Sequence, residues 1–114
     1  MKDNKKYNGW ANHATWAFAL HLDNSEEFHN LVNHWLKDNL DRKDDKDFGT
    51  MFINDFQDVM KALMYEQEVS HWGVTDRGKR LIKLYIAMGV DISAKPEEIC
   101  PVDVKEWLLE KIQT

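Results

Sequence analysis

Cysteine, proline and glycine are all scarce in this chain. The lone cysteine, Cys100, has no partner for an intrachain disulfide, which predicts a reduced, cytoplasmic protein. Two prolines and five glycines leave long stretches without a backbone breaker. No run of 18 apolar residues occurs, so no segment reads as a membrane span. Met1 to Lys6 are largely polar and charged, with no apolar stretch of signal-peptide form behind them. Alternation of β-branched residues is almost absent, which argues against a sheet. Bases are outnumbered, 15 against 20 acids, and the net charge of −5 repels nucleic-acid phosphate overall. That charge is also ordinary for solubility, and too small by itself to indicate imitation of DNA.

What is abundant is large apolar side chains. Five Trp, five Phe, three Tyr and five Met in 114 residues argue for a folded core, since a disordered chain of this charge would lack them. The length suits one domain and is too short for a two-lobed enzyme with a dinucleotide cleft. Apolar residues recur at 3–4 spacing, which predicts an all-α, single-domain bundle of about five helices over residues 1–114, with 1–9 as an N-terminal arm.

The first helix is expected over 13–22, capped by Asn12 and apolar nearly all round, so it belongs in the middle of the core. The second is expected over 25–40, capped by Asn24 or Ser25, with Glu26 and Glu27 suiting its dipole and Phe28, Leu31, Val32, Trp35, Leu36 and Leu40 forming its stripe. Residues 41–47 are fully charged and read as a surface connection. The third helix is expected over 50–67, with Thr50 as cap after Gly49 and a stripe of Phe52, Phe56, Val59, Met60, Leu63 and Met64. The fourth is expected over 75–88, capped by Thr75, weakened in its first turn by Gly78 and stopped by a left-handed Gly89. The fifth is expected over 102–112 behind Pro101, with Asp103 as cap or first-turn residue and Val104, Trp107, Leu108 and Ile112 inside. Val90 to Ile99 reads as a loop with a short helical turn after Pro96.

The segment Tyr7-Asn8-Gly9-Trp10-Ala11-Asn12-His13-Ala14-Thr15-Trp16, continuing to Leu20-His21-Leu22-Asp23-Asn24, resembles a group of small uncharacterised proteins of phages, plasmids and bacterial mobile elements. Their shared opening is Y-N-G-W-x-N-x-x-T-W, then an apolar helix and an Asp-Asn cap. The match covers about 18 residues, and Val102 to Leu109 more loosely resembles that group's closing amphipathic helix. The resemblance implies an all-helical accessory protein of a mobile element and carries over no catalytic residues. Physically the motif reads as scaffold: Gly9 permits a turn, Asn12 caps, Thr15 bonds back, and Tyr7, Trp10 and Trp16 anchor the arm. The rival reading makes Trp10 and Tyr7 an aromatic hot spot for a partner.

Sites of chemistry are thinly signalled. His29 and His34 are five apart, roughly 140° around a helix, so they do not converge on one metal ion as an i, i+4 pair does. Glu97 and Glu98 oppose thiolate formation at Cys100. No Gly-x-Ser-x-Gly turn or phosphate-cradling glycine loop occurs, so no catalytic residue, cofactor or metal ligand is assigned. The basic cluster Arg77, Lys79, Arg80 and Lys83, preceded by His71 and Trp72, sits in a stretch (71–90) with four bases and one acid. It suits phosphate or an acidic partner, and otherwise reads as a solvated face. Asp41, Asp44, Asp45 and Asp47 form a mirror-image acidic patch, diluted by Arg42, Lys43 and Lys46.

The expected function is therefore non-enzymatic. It is a phage or mobile-element accessory factor that binds a host protein or protein–nucleic acid complex, most concretely an inhibitor of a host defence system of the anti-CRISPR or anti-restriction type. Such a contact would bury on the order of 800 Å² per partner. The alternative expectation is nucleic-acid binding through the basic cluster.

Overall fold

The computed structural model describes residues 9–69, 75–91 and 96–113. Its elements are five helices: α1 (His13–Asn24), α2 (Glu26–Asp38), α3 (Phe48–Val69), α4 (Asp76–Asp91) and α5 (Pro101–Gln113). Single 3-10 turns cover Leu40–Arg42 and Pro96–Glu98. The protein is an all-α, single-domain bundle, and no strand occurs among the described residues.

Asn12 starts α1 with its side-chain oxygen, which accepts from the Thr15 N–H at 2.9 Å. Ala14, Thr15, Ala17, Phe18, Ala19 and Leu22 are all buried, but Trp16 is half-buried and Leu20 is 37% exposed, so α1 lies with a broad face against the core and not in its middle as its all-round apolar sequence predicts. It continues two residues past the expected Leu22 because Asp23 and Asn24 still have helical backbone. Ser25 is extended, which ends α1, and its hydroxyl accepts from Phe28 N–H at 3.4 Å, which starts α2. One residue thus makes the corner. Asn39 stops α2 before Leu40: its N–H reaches the Leu36 and Trp35 carbonyls, and its side-chain amide donates to Trp35 O at 2.9 Å. The expected helix to 40 is therefore two residues too long, and Leu40 is exposed.

Residues 41–47 are exposed throughout, as their charge demands. Their hydrogen bonds are local: Asp45 N–H donates to Arg42 O, and Asp47 N–H donates to Asp45 Oδ1 at 2.8 Å. The third helix begins at Phe48, two residues before the expected Thr50 cap. Both Phe48 and Gly49 are buried. A Cβ on Gly49 would stand 2.0 Å from the Pro101 carbonyl oxygen, so the first turns of α3 and α5 meet backbone to backbone. Only glycine permits that approach.

The α3 stripe of Phe52, Ile53, Phe56 and Met60 fills the centre. Phe56 is the hub of an aromatic cluster, with ring centroids 5.4 Å from Phe28, 5.6 Å from Phe18, 5.8 Å from Tyr85 and 6.0 Å from Phe52. The contacts with Phe18, Phe28 and Tyr85 are edge-to-face and that with Phe52 is stacked, geometries that stabilise beyond the area buried. Partial burial of Tyr85 raises its phenol above the ordinary value.

Thr75 caps α4, accepting from Gly78 N–H at 3.1 Å, and Gly78, Leu81, Ile82 and Met88 are buried. Gly89 does not stop this helix. The helix runs on to Asp91, and Gly9 is the one glycine with left-handed φ (88°) among the described residues. The fifth helix buries Val104, Trp107 and Leu108 against α3 and α1. The whole measures 50 × 32 × 21 Å, and the longest helix, α3, spans about 33 Å.

Candidate functional site

The N-terminal motif is tied into the scaffold by hydrogen bonds that span most of the sequence. Thr15 is fully buried; its hydroxyl donates to Asn12 Oδ1 at 2.7 Å and accepts from Cys100 N–H at 2.8 Å. The Asn12 amide donates to Glu98 O at 2.8 Å. Ala11 N–H donates to the carboxylate of Asp103, a 2% exposed residue, at 2.7 Å. Further along, Asp23 accepts from Trp107 Nε1 at 3.1 Å and from Lys111 Nζ at 2.6 Å, with the Lys111 ammonium 4.7 Å over the Trp107 ring. Trp10 is half-buried against the core. These contacts support the scaffold role of the motif over the hot-spot role of Trp10. Tyr7 lies outside the described residues.

The structure sets Arg80 apart from the other members of the basic cluster. Arg80 Nε lies 2.8 Å from Glu27 Oε2 across the α4–α2 contact, in an ion pair. The Glu27 carboxyl is held below its ordinary value by its own backbone N–H and by Arg80. Arg77, Lys79 and Lys83 are exposed and have no ion-pair partner among the described residues. Trp72 and His71 lie outside the described residues. The acidic residues Asp41, Asp44, Asp45 and Asp47 are all exposed at the α2–α3 connection. Arg42, Lys43 and Lys46 also lack an ion pair with them, so the mixed charges stay separately solvated.

Among the described residues no three His, Cys, Asp or Glu side chains converge as metal ligands. His34 pairs with Asp38 at 3.4 Å on an exposed face of α2. Beside it a small apolar cavity of about 120 Å³ opens between α2 and α3, and Trp35 on its wall donates to Asp55 at 2.9 Å. No described helix is long and apolar enough to cross a membrane.

The most unusual surface is at the far end of α3. Met60 is the last fully buried residue of that helix; from Lys61 to Val69 only Leu63 is even half-buried. Here Met64 (37% exposed), Tyr65 (67%) and Val69 (59%) stand in solvent, with Ile86 (54%) of the neighbouring α4. Between the two helices lies a groove of about 370 Å³ walled by Lys61, Met64, Tyr65 and Glu68 on one side and Ile82 and Ile86 on the other. The helical pattern places Met64 in the buried stripe of α3, but nothing among the described residues covers it or Ile86. Exposed Tyr65 and Val69 were missed, and no periodic signal marks them.

No protein-family model matches the sequence, and no curated protein or solved structure matches it either.

Proposed function

We propose that this chain is a non-enzymatic, protein-binding accessory factor of a phage or mobile element, acting in the host cytoplasm. Its most concrete form is a stoichiometric inhibitor of a host defence system, a CRISPR effector or a restriction enzyme. The supporting observation is the apolar surface of Met64, Tyr65, Val69 and Ile86 held in water at one end of the bundle. Contiguous apolar surface of this kind, rimmed by charge, marks a contact site. Tyr and Met are residue types enriched where proteins meet. The opening motif at residues 7–16 supports the mobile-element setting through its resemblance.

The test is a titration of the purified chain into a reconstituted CRISPR or restriction reaction. Inhibition should saturate at a fixed stoichiometry, and Tyr65→Glu should weaken it by at least about tenfold, the loss expected of one interface anchor. Inhibition that rises without saturating, or none at all, refutes the reading. A second reading, nucleic-acid binding, is favoured by Arg77, Lys79 and Lys83, which are exposed and have no ion-pair partner among the described residues. It requires binding to DNA or RNA that falls steeply with salt and is reduced by Lys79→Glu.

A further inference from the structure

We propose that the exposed end of α3 is a self-association face, through which two copies of this chain pair by antiparallel α3 helices about a two-fold axis between Met64 and Tyr65. The inference rests on the reading that this surface works by protein contact, and it assigns a second copy as the cover of the face when no host enzyme is bound.

Apolar exposure shows that the surface lacks a cover. The arrangement of charge says which cover fits. Lys61, Met64, Tyr65 and Glu68 all wall the same groove. On a helix they fall within an arc of about 100°, so they form one continuous stripe. The stripe carries a base three residues before Met64 and an acid three residues after Tyr65. Neither Lys61 nor Glu68 has an ion-pair partner among the described residues.

A two-fold axis between residues 64 and 65 exchanges those two positions. Lys61 of one copy then faces Glu68 of the other, Glu68 faces Lys61, and Met64 packs on Tyr65. An isologous contact requires this kind of self-complementarity, in which one patch carries both halves of each interaction. A parallel pairing would set Lys61 on Lys61 and Glu68 on Glu68, and both would repel. Ile86 flanks the stripe from α4 and widens the apolar contact. The acidic 41–47 connection lies at the opposite end of α3, so the like-charged ends of the two copies point away from each other.

The overhang is nine residues long, which places the contact at the small end of specific interfaces and predicts a concentration-dependent dimer. Sedimentation of the full chain, from low micromolar to several hundred micromolar, should show monomer passing to dimer. Tyr65→Glu should abolish the dimer. Lys61→Glu and Glu68→Lys should each weaken self-association at least about tenfold, because each turns two attractive pairs into repulsive ones. Mixed in equal amounts, these two variants should form a heterodimer that neither forms alone. All three positions are exposed, so circular dichroism melts should stay close to those of the parent.

A chain that stays monomeric at every concentration overturns the inference but leaves the protein-contact reading to the inhibition assay. A dimer that survives Tyr65→Glu overturns it by placing the contact elsewhere. Failure of the charge-swapped pair to associate overturns the antiparallel register. A dimer that behaves as described but inhibits no defence enzyme leaves this inference standing and removes the proposed function.

Discussion

Alanine at Gly49 tests the crossing of α3 and α5. In an ordinary helix the change is favourable by roughly 1 kcal/mol, because glycine has more chain entropy to lose. At Gly49 the new Cβ would lie 2.0 Å from the Pro101 carbonyl oxygen and 2.9 Å from its carbon. Both are backbone atoms, so neither can swing aside as a side chain does. To restore a contact of 3.4 Å, the start of α5 has to move by about 1.4 Å. That movement drags Asp103 away from Ala11 N–H and Cys100 away from Thr15, bonds of 2.7 and 2.8 Å. Overpacking of this kind costs about 1–3 kcal/mol, and strained buried hydrogen bonds add about 1 kcal/mol or more. After the helix-propensity gain of roughly 1 kcal/mol is subtracted, the expected net loss is about 1–3 kcal/mol, or a melting temperature lower by roughly 5–15 °C. Urea unfolding followed by circular dichroism measures it. Gly89→Ala is the control: a Cβ there meets nothing within 4 Å, so it should stabilise by about 0.5–1 kcal/mol. If both variants gain stability, α3 and α5 do not meet at Gly49 and the packing described here is wrong.

Three further outcomes are expected. Phe56→Ala removes the ring that touches Phe18, Phe28, Phe52 and Tyr85 and should cost about 3–5 kcal/mol; a loss below about 1 kcal/mol in the same urea assay would deny its central place. Thr15→Val keeps the shape but leaves Cys100 N–H without its acceptor, and should cost about 1–3 kcal/mol, while Thr15→Ser, which retains the hydroxyl, should lose less. Because the Glu27 carboxyl is held low, the stabilisation it contributes is present at neutral pH and is lost as pH falls through that lowered value, below the ordinary carboxylate range. Arg80→Ala should therefore move the Glu27 midpoint upward in a carbon-13 NMR titration; an unmoved midpoint would return Arg80 to the solvent-facing basic cluster.

The five helices were legible because burial in a bundle imposes a repeat that side chains such as Phe28, Val32 and Leu36 record directly. Caps were legible too, since Asn12, Ser25 and Thr75 act on backbone groups three residues away. What escaped depends on residues distant in sequence. Gly49 reads locally as a residue before a cap; its role comes from Pro101, which packs on it only in the folded chain. Gly89 has the composition of a stop, but the backbone there continues as helix. Asp103 is the first-turn acid that the sequence suggests, but its burial as acceptor for Ala11 depends on a segment 92 residues away. The candidate surface was half legible. Spacing marked Met64 as a residue that prefers cover, but spacing carries no information on how far neighbouring helices extend.

The threads joining residues 11–15 to 98–103, and Asp23 to Trp107 and Lys111, have a consequence for how the molecule is made. Of the five helices α5 is the last to leave the ribosome. Until it does, α1 is a greasy rod missing one wall, Thr15 keeps only its local bonds to Asn12, and Asp23 waits for Trp107 and Lys111. Closure between such remote segments is slow relative to local helix formation. The nascent chain should therefore pass its synthesis as an open, chaperone-accessible intermediate and lock shut only once the final helix swings in.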